Sequence, residues 1–272
     1  MALAKKQNMV HFESAYGDIK RALNFALDNP IKNALIISNL TQLKNDCSVT
    51  VKQSLNSNPI AASFYKDLPF NSVALMVETV EDLHGLIEEL AKKNPQLRDK
   101  PIYGLYDTET TALIESCFKV TEKTPEIKMA INSMVIQEID YDSNRYRLER
   151  LTVQDIVQIS HLYGLVPSMA WTPKALTFGP YFGVYYNEHL VSIAGVHFAT
   201  ETIAEIGNVV SHFKHRRQNL AYLCTKAVIE NLRNSCENIF LCVFADNDSA
   251  IKLYEKMGFT KIEDLLLVQY YI

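Results

Sequence analysis

The chain has 272 residues and a mass of 30.9 kDa, a length that fits one large domain or two of about 130 residues each. Hydrophobic residues make up 48% and charged residues 21%, a balance typical of folded globular proteins that excludes disordered, collagen-like and disulfide-stapled chains. The formal charge of −4 gives no overall attraction to nucleic acid, so a polyanion site would need a local basic cluster. Lys214–Arg217 is such a cluster.

The first half of the chain alternates helical and strand-like segments. Its first 14 residues, MALAKKQNMVHFES, lack the continuous apolar run of a signal peptide. Apolar residues at helical spacing over 18–43, interrupted at Asp28-Asn29-Pro30, predict two short helices. Further elements are expected at strands Ile60–Tyr65 and Ser72–Val77, helix Val80–Lys93, strand Pro101–Tyr106, helix Glu109–Cys117 and strand Lys128–Ile136. The polar stretch Glu138–Arg145 has no apolar periodicity and predicts a linker.

The second half begins with a predicted strand, Arg147–Leu151, followed by the capping-box pair Thr152 and Asp155. The remaining predictions are helix Ile156–Tyr163, a loop over 164–180, strands Phe182–Tyr186, Leu190–Phe198 and Ile203–Ser211, helix Leu220–Asn231, strand Ile239–Ala245, helix Ser249–Met257 and strand Leu265–Tyr271. The basic loop precedes a helix in a strand–helix–strand crossover, where α/β folds bind ligands. We expect two domains, 1–140 and 145–272.

Two segments of the second half resemble the GNAT acyltransferase superfamily. The segment HFKHRRQNLAYL resembles the family motif Q/R-x-x-G-x-G/A, with Arg216 and Ala221 at its ends and Asn219 in place of a glycine. The segment N-x-x-A-x-x-L-Y-x-x-x-G-F, from Asn247 to Phe259, resembles the second family signature almost completely. Glu205-Ile206 before the basic loop most resembles the glycine N-acyltransferase branch. The resemblance covers about residues 145–272.

The resemblance implies an α/β (α+β) GNAT fold, in which helices flank a mixed, mostly antiparallel sheet, preceded by a smaller α/β domain. Within that first domain, Tyr103–Ile131 repeats the element order of Phe240–Ile272. In this repeat Leu113 takes the place of Tyr254, and Cys117 that of Gly258. Two interpretations of the first domain are open: a degenerate GNAT-like copy without the proton donor, and an unrelated α/β cap.

The family's co-substrate, acetyl-CoA, needs a site for its pyrophosphate and a partner for its pantetheine arm. A helix N-terminus offers unpaired N–H groups and a partial positive charge. The resemblance therefore implies a pyrophosphate cradle built from Arg216, Arg217, Gln218, Asn219, Leu220 and Ala221. Asparagine tolerates positive φ but occupies more room than glycine, so we expect looser cofactor binding, not its loss.

The family also implies that pantetheine pairs with the strand before the loop, here Val209, Val210 and Ser211, in a wedge between neighbouring strands. An N–H at Val209 or Val210 would polarise the thioester carbonyl. If strand alternation is regular, Glu205 shares a face with Val209 and Ser211 and could take a proton from the amine. Tyr254 could protonate the leaving thiolate, and Asn247 could cap its helix or fix its loop to the cofactor. A salt bridge is the other interpretation of Glu205.

The first functional hypothesis is an acyl-CoA-dependent N-acyltransferase that transfers an acyl group, most simply acetyl, to a primary amine in a ternary complex. The acceptor is a small-molecule or peptide amine, and the protein is a monomer or homodimer. The alternative is a non-catalytic acyl-CoA-binding or regulatory module, which Asn219 and the apparent duplication make credible. Trp171 is interpreted either as a lid or as part of the acceptor pocket.

Several other functions are disfavoured by the sequence. The basic loop has too few aromatic residues for nucleic-acid binding. Five cysteines without a C-x-x-C pair suggest neither a disulfide framework nor a metal site, and Cys224 and Cys242 fall at apolar positions that disfavour an acyl-cysteine route. No run approaches the roughly 18–20 apolar residues of a membrane span. We therefore expect a cytoplasmic protein without a metal, membrane or nucleic-acid partner.

Overall fold

The computed structural model describes residues 17–131 and 139–272. The chain divides into two compact units. The described part of the first unit is 17–124 with Leu265–Ile272, and that of the second is 125–131 with 139–264. These units differ from the expected ranges 1–140 and 145–272, because two long strands are each divided between the units. Part of the predicted strand Lys128–Ile136 and the first residue of the predicted linker lie outside the described residues.

The first unit begins with helix α1, whose described residues are 17–27. Its other elements are α2 (Ala34–Leu40), a 3-10 turn (Lys44–Asp46), β1 (Cys47–Gln53), β2 (Pro59–Tyr65), β3 (Asn71–Met76), α3 (Val80–Lys93), α4 (Gln96–Asp99), β4 (Ile102–Tyr106), α5 (Thr108–Cys117) and parts of β5 (Lys119–Ile131) and β11 (Phe259–Tyr271). The strand order is β1-β2-β3-β4-β11-β5, with β3 and β4 parallel. Leu83, Leu86 and Leu90 recur at helical spacing and bury one face of α3 in the core of this unit.

The second unit contains the remaining elements and the other parts of β5 and β11. These are β6 (Arg147–Arg150), a 3-10 turn (Val153–Asp155), α6 (Ile156–Leu165), a 3-10 turn (Pro173–Thr177), β7 (Phe182–Tyr186), β8 (His189–Ala199), β9 (Ile203–Ser211), a 3-10 turn (Phe213–His215), α7 (Leu220–Leu232), β10 (Asn238–Phe244) and α8 (Asp248–Lys256). The strand order is β6-β7-β8-β9-β10-β5-β11. Strands β9 and β10 are parallel, whereas β6–β7, β7–β8, β8–β9 and β10–β5 are antiparallel. This is the mixed, mostly antiparallel sheet flanked by helices that the resemblance implied.

Both units follow one pattern of strand pairing. In each, an antiparallel ladder ends in a strand that a helix joins to a parallel neighbour: β3–α3–β4 in the first and β9–α7–β10 in the second. A capped helix follows in both, since Asp107 accepts from the Thr110 N–H at α5 and Asn247 from the Ala250 N–H at α8. Counted from these caps, Ile114 corresponds to Tyr254, in place of the Leu113 expected from the sequence. The shared pattern favours the interpretation of the first unit as a second, degenerate copy of the fold.

The two copies differ at the N-terminus of the crossover helix. In the first unit, α3 carries Glu81 and Asp82 in its first turn, and the Thr79 hydroxyl accepts from the Asp82 N–H at 3.1 Å. Carboxylates at this end of a helix occupy the positive end of the dipole and repel a phosphate. The first turn of α7 in the second unit has no acidic residue. Only the second of these two helix ends therefore has the charge that suits an anionic ligand.

Candidate functional site

Strands β9 and β10 diverge in the second unit. Their parallel pairing joins Ile203–Ile206 to Asn238–Leu241 and ends there. Beyond that point β9 continues to Ser211 in register with β8, and β10 continues to Phe244 in register with β5. The backbone groups on the facing edges of 207–211 and 242–244 are therefore released from each other, which leaves a wedge between the two strands.

The pairing of β8 with β9 contains two irregularities next to this wedge. The partners change from Ile193–Val210 to Gly195–Gly207, so that β9 holds one extra residue, and Asn208 within this bulge has φ of 56°. At a second shift of the register, from Val196–Ile206 to Phe198–Glu205, β8 holds the extra residue His197. The regular alternation assumed for Glu205 and the residues after it is therefore wrong, because an extra residue reverses the faces on which the later side chains lie.

The register also distinguishes the two amides considered for the thioester. The His212 N–H donates to the Val191 carbonyl at 2.8 Å, and Val210 stands opposite Ile193 in the same register. Because N–H groups alternate in direction along a strand, His212 and Val210 direct theirs toward β8. The N–H of Val210 is therefore committed to β8, whereas the register with β8 skips Val209 at the bulge, which favours Val209 over Val210 as the donor in the wedge.

The basic loop leads into α7 through two residues in the left-handed region. Arg217 has φ of 62° and Asn219 has φ of 60°, a conformation that asparagine adopts more readily than most residues. The Asn219 side-chain amide donates to the Asp140 carbonyl at 3.3 Å. Since Asn219 caps α7, the N–H groups of Asn219, Leu220 and Ala221 have no acceptor within the helix. The exposed loop thus presents main-chain donors and two arginines together.

Aromatic side chains hold the histidine of this loop. The Tyr146 hydroxyl lies 3.1 Å from Nδ1 of His215, and the Tyr186 ring lies 4.8 Å from the His215 ring. The Arg145 guanidinium lies over the Tyr186 ring at 5.5 Å. Burial, then His212 and the positive charge of Arg145, lower the pKa of His215. The positive charge of the loop at neutral pH therefore comes from its lysine and arginines.

A cluster of ionisable side chains lies on one face of the sheet at the base of the wedge. Oε1 of Glu205 is 3.3 Å from Nδ1 of His197. Glu205 stands beside Phe240 of β10, whereas Lys128 and Glu126 of β5 stand beside Cys242 and Phe244. Alternate residues of β10 share a face, so both glutamates lie on the same face. Lys128 is paired with Glu263 at 2.8 Å.

The sequence analysis missed Glu126 and His197. Glu126 precedes the segment that resembles the family, and only the pairing of β5 with β10 brings it to the site. His197 lies within a predicted strand, and a single polar residue in a strand does not indicate a functional site. Burial, then the Glu205 carboxylate, raise the pKa of Glu126 to about 7 against the opposing effect of His197. Burial lowers the pKa of His197, but the nearby glutamates outweigh it and the net direction is upward.

The Glu126 pKa predicts how stability depends on pH. Because Glu126 binds its proton more tightly in the folded protein, the free energy of unfolding falls as pH rises from 4.5 to about 7. This shift corresponds to about 3 kcal/mol. The raised pKa of His197 acts in the same direction, since its ion pair is lost as pH rises through the folded pKa. Thermal unfolding of the wild type should therefore show a higher midpoint at pH 5 than at pH 8. In E126Q the midpoint should depend on pH much less. An equal dependence on pH in both proteins would contradict the prediction.

The other predicted residues lie on α8 and in the core. The Asn247 side chain caps α8 by accepting from the Ala250 N–H at 3.2 Å. Tyr254 is buried with its ring against Phe259, and burial raises its pKa to about 12, so its hydroxyl keeps its proton. In the described ranges no hydrogen bond joins Tyr254 to Glu205 or to β9. Burial also raises the pKa of the Cys224 thiol to about 12 and that of Cys242 well above its usual value, which argues against a thiolate nucleophile.

Trp171 lies in the loop that follows α6. Its ring is 4.9 Å from the Tyr163 ring, and its indole nitrogen is buried without a hydrogen-bond partner among the described residues. Ser168 of the same loop donates to the Asn208 side chain at 2.7 Å. The loop that carries Trp171 therefore contacts the bulge of β9.

A known protein family matches part of the second unit. Residues 151–259 match the family model described as Acetyltransferase (GNAT) family, and this segment contains the wedge, the basic loop and both signatures. This part of the chain is therefore similar to the GNAT acetyltransferases. A comparison with curated protein sequences finds no match.

Solved structures share the GNAT fold over most of the chain. A Drosophila protein is 13% identical with a TM-score of 0.72, over 93% of this chain and 96% of that one. A tandem GNAT protein from the clavulanic acid biosynthesis pathway is 14% identical with a TM-score of 0.61, over 92% and 94%. A protein assigned to the GNAT family from Novosphingobium aromaticivorans is 19% identical with a TM-score of 0.59, over 77% and 88%. The tandem structure agrees with the repeated pairing pattern of the two units described above.

The described residues form neither a metal-binding cluster nor a membrane-spanning helix. Within 17–131 and 139–272, no three His, Cys, Asp or Glu side chains are grouped so that they could hold a metal ion. None of the helices in these same ranges combines the length and the apolar character needed to cross a bilayer.

Proposed function

We propose that the second unit of this protein is a GNAT acyltransferase that transfers an acyl group, most simply acetyl, from acyl-CoA to a primary amine in a ternary complex. The divergence of β9 from β10 after Ile206 and Leu241 is the observation that carries this proposal. It leaves a strand edge with which an extended pantetheine arm can pair, directly before a helix N-terminus that suits a pyrophosphate.

The residues present fit this co-substrate. The amides of Gln218, Asn219, Leu220 and Ala221 would hold the pyrophosphate, with Arg216 and Arg217 adding charge-assisted contacts. The N–H of Ser211 would pair with the pantetheine arm, the N–H of Val209 would polarise the thioester carbonyl, and Asn247 would fix the loop before α8 near the co-substrate. Acyl-CoA supplies the acyl group in activated form, as a thioester.

The carboxylates at the base of the wedge would remove the proton that the attacking amine must lose. Glu205 lies where the strands begin to diverge, and Glu126 lies on the same face beside the end of β10. A pKa near 7 suits Glu126 to proton exchange at neutral pH. A carbon–nitrogen bond forms, a carbon–sulfur bond breaks, a carboxylate gains the amine proton, and the Tyr254 hydroxyl protonates the departing sulfur. Proton exchange with solvent then returns a proton to Tyr254 and removes one from the carboxylate.

Calorimetry with acetyl-CoA, followed by thiol-release assays on a panel of amines, tests this function. Amino acids belong in the panel because Glu205-Ile206 resembles the glycine N-acyltransferase branch; polyamines, aminoglycosides and peptide amines complete it. Binding together with amine-dependent thiol release supports the proposal. Binding without release on any amine would favour the non-catalytic acyl-CoA-binding module, and no binding at all would refute both.

A further inference from the structure

Three side chains hold the bulge residue Asn208 in its left-handed conformation. The Tyr163 hydroxyl donates to the Asn208 carbonyl at 2.7 Å. The Ser168 hydroxyl donates to Asn208 Oδ1 at 2.7 Å, and Asn208 Nδ2 donates to the Tyr181 hydroxyl at 2.9 Å. Asparagine adopts this left-handed conformation more readily than most residues, and the three contacts fix it at this position.

The three contacts come from separate parts of the second unit. Tyr163 lies on α6, Ser168 in the loop after α6, and Tyr181 immediately before β7. Tyr181 is itself fixed, because its hydroxyl donates to the Val196 carbonyl at 2.7 Å. Asn208, Tyr163 and Tyr181 are all buried. The bulge is therefore held by a largely buried hydrogen-bond network, which also includes a hydrogen bond between the side chains of Asn208 and His197.

The Tyr163 contact acts on the peptide group that contains the Val209 N–H. In a planar trans peptide the C=O of one residue and the N–H of the next point in opposite directions. A hydrogen bond that fixes the Asn208 carbonyl therefore also fixes the direction of the Val209 N–H. The same bond polarises the peptide and strengthens its N–H as a donor.

We infer that Tyr163 and Asn208 are positioning residues that aim the Val209 N–H at the thioester carbonyl in the wedge. Ser168 and Tyr181 support this role by holding the Asn208 side chain. The inference rests on the proposed function, in which Val209 polarises that carbonyl. It assigns a role in acyl transfer to α6 and its following loop, which contain neither of the two family signatures.

The test replaces Tyr163 by phenylalanine, which keeps the ring against Trp171 and removes the hydroxyl. Misdirecting an oxyanion donor is expected to lower kcat by roughly 10- to 100-fold. The dissociation constant of acetyl-CoA should stay within about twofold of wild type. The ¹³C shift of the carbonyl-labelled acetyl group, displaced on binding to wild type, should return most of the way to its free value in Y163F. This shift is measured without any amine, so it does not depend on the identity of the acceptor.

Tyr185→Phe is the matched control, since it removes a hydroxyl that donates to Asp155 at 2.8 Å in the same unit. It should leave kcat and the carbonyl shift unchanged. If Y163F folds poorly, Ser168→Ala loosens only the Asn208 side chain and should lower kcat several-fold in the same direction.

Wild-type kcat and carbonyl shift in both Y163F and S168A would overturn the inference and leave the proposed function intact. Bound acetyl-CoA whose carbonyl is not displaced in the wild type would also overturn it. A wild type that binds no acetyl-CoA would overturn the proposed function itself.

Discussion

Replacing Glu205 by glutamine is expected to slow amine acylation by roughly 10²- to 10⁴-fold while acetyl-CoA binding stays within about twofold of wild type. Glutamine keeps the shape of the side chain but can neither accept the amine proton nor balance a protonated His197, 3.3 Å away. Because Glu205 is buried, solvent does not readily replace its charge. Steady-state kinetics on an accepted amine, with calorimetry for the co-substrate, measure the two effects separately.

Glu201→Gln is the control for this prediction, because Glu201 is exposed in the turn before the same strand. It removes one negative charge from the unit without touching the site and should leave turnover unchanged. If E205Q keeps full turnover and the pH profile of the wild type, Glu205 does not accept the amine proton. The salt bridge with His197 would then be its role.

Replacing Ala221 by glutamate is expected to weaken acetyl-CoA binding by about 100-fold or more, equivalent to about 3 kcal/mol. Ala221 lies in the first turn of α7, so the new carboxylate would compete for the N–H groups and repel the pyrophosphate. The same charge interacts favourably with the helix dipole and should stabilise the fold by about 0.3–1 kcal/mol. Loss of binding together with a slightly raised melting temperature distinguishes a blocked anion site from unfolding. The substitution gives α7 an acidic first turn like that of α3, which has Glu81 and Asp82.

Val157→Glu is the matched control, since Val157 is exposed in the first turn of α6 in the same unit. It adds the same charge to the start of another helix and should leave acetyl-CoA affinity unchanged. Equal weakening in V157E and A221E would indicate a general charge effect, and unchanged affinity in A221E would contradict a pyrophosphate site at α7.

The helices around the site could be predicted closely because their signals are local. The start of α7 at Leu220 agrees with the sequence prediction, and α8 agrees to within one residue, since Asn247 marks its cap. Strand β1 was not predicted, although its residues 48–52 alternate polar and apolar side chains as a strand does. The early part of β5 was also missed, because Pro125 and its charged neighbours are typical of a segment between strands.

The arrangement of the site depended on contacts between distant residues that no local pattern reports. The bulge at Asn208 is a property of the register between β8 and β9, and regular alternation was assumed in its place. Glu126 joins the face of Glu205 only because β5 pairs with β10. A family resemblance over 145–272 could not show that a strand from earlier in the chain completes the sheet.

A crystal structure of the protein with bound coenzyme A tests the wedge most directly. The account predicts that the pantetheine arm lies along Gly207–Ser211, between β9 and β10, with its pyrophosphate on the amides from Gln218 to Ala221. Coenzyme A bound elsewhere, or side chains filling the space between these two strands, would contradict it.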